Sequence, residues 1–174
     1  MDEVKDTAAA ACGGVTTIGN YVGLGYTSCV GSYKDKLTEW IETYNKYAMV
    51  DAAFHCPIMT EIQRREMEEY VREFGINFFK FFAYKREEAK NLGIKEIDDG
   101  DIYLGFQAVA NLGPPVLAAV HCENNDIVHK LKSRLMEDGR RDLAANTEAR
   151  PNFVEALDIR KFAYMAEVTG ATLY

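Results

Sequence analysis

The chain has 174 residues, 48% hydrophobic and 27% charged, with a formal net charge of −7 at pH 7. That length suffices for one domain with a buried core. The acidic balance excludes nucleic acid as the main partner, because binding phosphates needs a basic face. No apolar run approaches the length of a membrane span; the longest, at residues 116–120, is strand-sized. The opening Met1-Asp2-Glu3-Val4-Lys5-Asp6 lacks the basic-then-apolar order of a secretion signal. Cys12, Cys29, Cys56 and Cys122 are scattered, without a C-x-x-C pair, which predicts reduced thiols in core or loop positions of a cytoplasmic protein.

Taken in chain order, residues 2–12 carry Val4, Ala8, Ala9 and Cys12 at helical spacing and stop at Gly13-Gly14. Residues 15–21 are β-branched and aromatic, a strand. After a Gly- and Ser-rich loop, Leu37, Trp40, Ile41 and Tyr44 mark a helix. Residues 50–59 form the second strand. Thr60, with Gln63 three residues later, begins a capped helix that shows Ile62, Met67, Tyr70 and Val71 and ends at Gly75. Residues 76–84 are a third strand, apolar on both faces except for Lys80. A charged loop leads to a helix that stops at Gly113-Pro114-Pro115, and residues 116–121 are the fourth strand. Asn124 or Asn125 caps the next helix, which ends at Gly139, and Pro151 suits the first turn of the last, which ends near Gly170. Residues 171–174 open a fifth strand. Strand–helix units of this kind, with nearly continuous apolar strands, predict a parallel sheet covered by helices. A doubly wound sheet and a barrel both satisfy the pattern, and a complete (β/α)8 barrel takes about 250 residues, so only part of one fits here.

Two residues invite chemistry. Lys80 lies in Asn77-Phe78-Phe79-Lys80-Phe81-Phe82-Ala83-Tyr84, where a central strand would bury it and lower its pKa. A neutral amine there can take up carbon dioxide as a carbamate, an anionic oxygen ligand able to bridge two divalent metals. The alternative is a lysine that reaches to the strand end or pairs with a carboxylate. His121 ends the next strand, at the rim where parallel α/β folds carry their active sites, and a neutral imidazole suits zinc or a similar ion. A hydrogen-bonded core histidine is the competing reading. His55, inside an apolar strand, reads as core; His129, beside Lys130 and Lys132, as a solvated helix face; Glu123 receives no role. The stretch Asp98-Asp99-Gly100-Asp101 is explained by helix capping rather than calcium. No glycine-rich phosphate loop and no G-x-S-x-G is present.

Four collinear segments together resemble one family. Ala11-Cys12-Gly13-Gly14-Val15-Thr16-Thr17 is similar to the Gly-Gly-x-Thr-Thr turn of dihydropyrimidinases, hydantoinases and related cyclic amidohydrolases. Residues 75–85 resemble their carboxylated-lysine strand. His121-Cys122-Glu123-Asn124 matches their His-Ala-Glu-Asn motif with one substitution, and Ala149-Arg150-Pro151, followed by Glu155-Ala156, resembles their Ser-Arg-Pro segment.

The resemblance implies four to five β-α units of a (β/α)8 TIM-type barrel, with residues 1–174 forming the central part of one amidohydrolase domain. It implies two divalent metal ions, zinc by expectation, with Lys80 as the N-carboxylated bridge and His121 as a ligand. Tyr84 matches the tyrosine that hydrogen-bonds substrate and developing oxyanion, although one residue fewer than usual separates it from Lys80. The implied reaction is attack of a metal-bound hydroxide on a cyclic amide, opening a hydantoin or dihydropyrimidine ring, in an enzyme that is often a tetramer. The family's His-x-His pair would lie before Met1 and its next ligand histidine just after Tyr174. The chain by itself is therefore expected to be inactive. A non-catalytic, amidohydrolase-like assembly or binding protein is the alternative.

Overall fold

The computed structural model describes residues 3–22, 31–83 and 97–174. Four strands, β1 (Thr17–Tyr21), β2 (Asp51–Ile58), β3 (Phe78–Phe82) and β4 (Leu117–His121), form one parallel sheet in the order β1-β2-β3-β4. Helix α1 (Glu3–Cys12) precedes β1, and α2 (Lys34–Tyr47) leads into β2. Helices α3 (Glu61–Arg65) and α4 (Met67–Phe74) lead into β3, and α5 (Asp99–Leu112) into β4. After β4 come α6 (Asn125–Glu137), α7 (Leu143–Glu148) and α8 (Asn152–Thr169). Leu173 then bridges in parallel to Ala118, with the Tyr174 N–H donating to Ala118 O at 2.8 Å, so the expected fifth strand does open beside β4.

The sequential strand order decides between the two architectures left open by the sequence. Each crossover moves one strand further in the same direction, and right-handed crossovers then place their helices on a single face. A doubly wound sheet would reverse its order at a switch point. The register is staggered as well: Tyr21, last in β1, pairs with His55 inside β2, and His55 pairs with Phe78, first in β3. Stagger of this kind tilts strands around a barrel axis. The fold is a segment of a (β/α)8 barrel.

Alternation along each strand divides the side chains between helices and open face. Phe79 and Phe81 of β3, Cys56 and Ile58 of β2 and Ala118 of β4 are buried in the core under the helices. Phe81 meets Phe106 of α5 edge-on at 5.8 Å, and Phe106 meets Phe162 of α8 at 6.5 Å, an aromatic line that joins sheet, α5 and α8. Because α8 packs in this layer and runs into the fifth strand, it is the barrel helix of its unit. Helices α6 and α7 are an excursion between β4 and α8.

Two expectations are corrected. The helix from Thr60 to Gly75 is not continuous but breaks at Glu66, and Ile62 is exposed rather than core-facing. Gln63 turns inward instead, fully buried: its Oε1 accepts the Met59 and Thr60 N–H groups, and its Nε2 donates to Gly31 O at 2.7 Å. Satisfying three backbone groups outweighs burying one isoleucine. Helix α7 went unforeseen; Asp142 caps it through the Ala145 N–H, and Arg140 pairs with both Asp142 and Glu148. The capping boxes at Thr60/Gln63 and Asp98/Asp101, and the Asn124 cap of α6, are present.

Gly105 marks the tightest contact in this core: a Cβ there would stand 2.3 Å from Cε1 of Phe81. Gly105→Ala gains up to about 1 kcal/mol of helix propensity. The ring is held between sheet and α5, however, so overpacking of about 1–3 kcal/mol prevails. A lowered urea midpoint is expected; an unchanged or raised midpoint would show that Phe81 can give way.

Candidate metal centre on the open face

The face of the sheet away from the helices is organised in layers by the register. The first joins Tyr21, His55, Phe78 and Leu117; the second Pro57, Lys80 and Ala119; the third Phe82 and His121. Aromatic rings close the first layer. His55 stacks on Phe78 at 3.9 Å, Tyr21 meets the His55 ring edge-on at 5.3 Å, and Tyr174 meets Phe78 at 5.8 Å. Gly19 makes room for the imidazole, since a Cβ at that position would come within 2.6 Å of Cε1. Burial lowers the His55 pKa, which favours the neutral ring. His55 is thus a packing residue, as expected, although it packs on the open face and is only half-buried.

Lys80 occupies the second layer between two compact register neighbours, Pro57 and Ala119. It is half-buried, with Nζ 5.3 Å from the centre of the Phe82 ring. Burial pushes its pKa below the ordinary lysine value, with nearby Cys122 acting in the opposite direction. Among the described residues, no carboxylate is in the group that shifts it. His121 lies two residues beyond the register partner of Lys80, on the same face at the C-terminal end of β4, with its exposed ring 6.1 Å from that of Phe82. Sequence placed these two on consecutive strands; the structure places them on one face, in adjacent layers. Tyr84 lies outside the described residues.

Neighbours of His121 include groups that the sequence did not single out. A cavity of about 170 Å³ beside it is lined by Phe82, Glu123, Asn125, His129, Lys132 and Arg150, among others. His129, expected on a solvated helix face, instead turns to this cavity and is half-buried. Glu123 pairs with Arg150 at 3.2 Å, and Asn125 Nδ2 donates to Ala83 O at 2.5 Å, tying the turn after β4 to the end of β3. The signal for His129 was its three-to-four-residue spacing from Asn125 and Lys132 on α6, which puts all three along one helical stripe. Cys12, Cys56 and Cys122 are free thiols, and Cys29 falls outside the described residues. Among the described residues no helix is long and apolar enough to cross a membrane.

As donors, a lysine biased toward its neutral amine and an imidazole on the same face fit one part of a metal centre. Among the described residues, no three His, Cys, Asp or Glu side chains are grouped to hold a metal ion.

Comparison with known proteins gives this geometry a context. No family model matches the chain. It is 31% identical over 180 residues to a D-hydantoinase of Geobacillus stearothermophilus, covering 99% of this chain and 35% of that protein. It is 28% identical over 171 residues to a dihydropyrimidinase of Dictyostelium discoideum, covering 97% of the chain and 32% of that protein. Its fold superposes on the L-hydantoinase (dihydropyrimidinase) from Arthrobacter aurescens with a TM-score of 0.83 at 23% identity, over 99% of this chain and 36% of that one. The chain spans about a third of the length of these relatives.

Lys80 carries a pH signature. Its folded pKa lies below the unfolded lysine value of about 10.4, so between the two the unfolded chain binds more protons and stability rises with pH. Lys80→Met removes that dependence. The variant is expected to gain over the parent near neutral pH, with the gap closing as pH rises toward about 10.4. Urea midpoints at several pH values check this, and a gap that widens with pH refutes it.

Proposed function

From the kinship of this chain with hydantoinases and dihydropyrimidinases, in sequence and in fold, we propose that it is part of a metal-dependent hydrolase that opens cyclic amides of the hydantoin or dihydropyrimidine type. The observation that carries the reading is the pairing of Lys80 and His121 on one open face of adjacent parallel strands, near the C-terminal rim. That rim is where barrels of this class hold their reacting groups.

In this reading Lys80 acts first as a nucleophile. Its depressed pKa exposes the amine lone pair, which forms an N–C bond to carbon dioxide and releases one proton to solvent. The product is an anionic carbamate on the strand position whose register neighbours are Pro57 and Ala119. Lys80, once carboxylated, and His121 are the residues that would hold divalent ions here, with zinc as the expected metal. When bound, the ions polarise the amide carbonyl and lower the pKa of water. Phe82, whose ring centre lies 5.3 Å from Lys80 Nζ and 6.1 Å from that of the His121 ring, gives this face an apolar side between the two. Asn125 holds the turn after β4 against Ala83 and so keeps the two strand ends in step. Tyr84 is assigned the hydrogen bond to substrate and oxyanion. A cytoplasmic setting with reduced cysteines and a homotetrameric assembly belong to the same proposal.

The carbamate is open to direct test. Under 13C-labelled bicarbonate, the chain is expected to show a carbamate carbon resonance that is absent from Lys80→Ala and retained in His121→Ala. In a hydrolase built on these residues, either substitution should lower turnover of hydantoin or dihydrouracil by more than about 100-fold, beyond the usual cost of losing an outer-shell partner. The isolated 174-residue chain, zinc-loaded, should not turn over either substrate. Turnover by it overturns the expected inactivity of the chain alone, and a carbamate signal that survives Lys80→Ala removes the basis for Lys80 as the carboxylated residue.

A further inference from the structure

Helix α8 turns Val154, Asp158, Phe162 and Ala166 inward, one residue in every four. Three of these are apolar. The fourth is a carboxylate, only 1% exposed, at a position where helical periodicity asks for a hydrophobic residue. Burial of a charge is unfavourable unless it is paired and hydrogen-bonded, and replacing a buried ion pair by apolar side chains is often neutral or better for stability. Stability alone therefore does not account for Asp158, and its partners are the guide.

Asn124 Nδ2 donates to Asp158 Oδ1 at 3.2 Å, and Lys161 Nζ lies 3.1 Å from the same oxygen. Lys161 Nζ also reaches Asp99 Oδ1, in the first turn of α5, at 2.9 Å. Burial works against the Lys161 charge, but its bonds to Asp99 and Asp158 outweigh that and raise its pKa. The other end of the Asn124 amide is equally committed. Its Oδ1 accepts the Ile127 N–H at 3.2 Å and caps α6, while its backbone N–H donates to Val154 O. An ionised carboxylate only accepts, so it selects the amide orientation in which Nδ2 faces α8 and Oδ1 faces α6. A flipped amide would lose both bonds. An apolar residue at 158 would leave that orientation to the Ile127 N–H alone.

We propose that Asp158 is a positioning residue: it fixes the Asn124 amide, and with it the 121–125 turn, so that His121 holds one place relative to the end of β3. Through Lys161 the same carboxylate ties in the first turn of α5, the helix that leads into β4. The turn after His121 and the start of α5 thus share one buried anchor. The effect on a metal rests on the reading of His121 given above; the effect on the turn does not.

Two variants of the 174-residue chain separate this role from mere support of the fold. Asp158→Leu continues the apolar stripe and removes the acceptor, whereas Asp158→Asn keeps an oxygen able to accept from Asn124. Amide hydrogen exchange at Asn124 and Ile127 should quicken about tenfold in the leucine variant, the size expected for loss of a helix cap. It should stay near the parent rate in the asparagine variant. The Gln63 N–H, held by Thr60 in a separate capping box, is the reference and should not move. Zinc titration followed by the His121 imidazole NMR signals should show a midpoint weakened about 10-fold or more in Asp158→Leu alone. Faster exchange at all these amides together, or equal behaviour of both variants, overturns the positioning role. Turn-specific exchange in a chain whose His121 signals ignore zinc supports the positioning role and sinks the ligand reading instead.

Discussion

A β-strand cannot choose where its side chains point, because successive residues must leave opposite faces of the sheet. In β3 this constraint meets five residues, Phe78 to Phe82, that are all aromatic but one. Phe79 and Phe81 supply the core beneath the helices, and Phe81 starts the aromatic line through Phe106 to Phe162. Once those two are committed inward, Lys80 must stand on the open face, and a one-residue slip would exchange the core for the site. The layers of that face follow from the same register. Aromatic rings from β1, β2, β3 and the opening fifth strand fill the first layer, and compact residues flank Lys80 in the second. A packed lower layer beneath an open upper one is the division of labour that parallel barrels use between stability and chemistry.

Much of this was legible in the sequence, for reasons that can be named. The alternation of β3, the Thr60/Gln63 and Asp98/Asp101 caps and the glycine stops at Gly75 and Gly170 are local signals, written within a few residues of where they act. What escaped is non-local. The break at Glu66 depends on Gln63 reaching Gly31, more than thirty residues earlier, which no helical periodicity records. Helix α7 is six residues long and leans on the Arg140 pairs with Asp142 and Glu148 rather than on an apolar stripe. For the site, the strands carrying Lys80 and His121 were legible, but their common face was not. It depends on Lys80 pairing with Ala119, and an offset of one residue would have set them on opposite faces. His129 was misread because its basic neighbours suggested solvent, whereas the cavity beside His121 exists only once α6 folds back over the rim.

Lys80 and Asp158 also pose a common energetic question, since each places a polar group where an apolar one would pack at lower cost. For Lys80 the mismatch shows as a pKa lowered by burial, with no carboxylate among the described residues that shift it. At Asp158 the mismatch is resolved locally: Lys161 compensates the charge and Asn124 uses the remaining acceptor capacity to set its own orientation. The first arrangement leaves burial expressed in the side chain's own titration; the second converts its partners into geometry. Barrel strands are rigid, but the turns that extend them are not, and a side chain at the last residue of a strand is only as well placed as the turn that follows it. Compensated burial suits a group that must hold another still, and Asp158 meets that condition at the turn after β4.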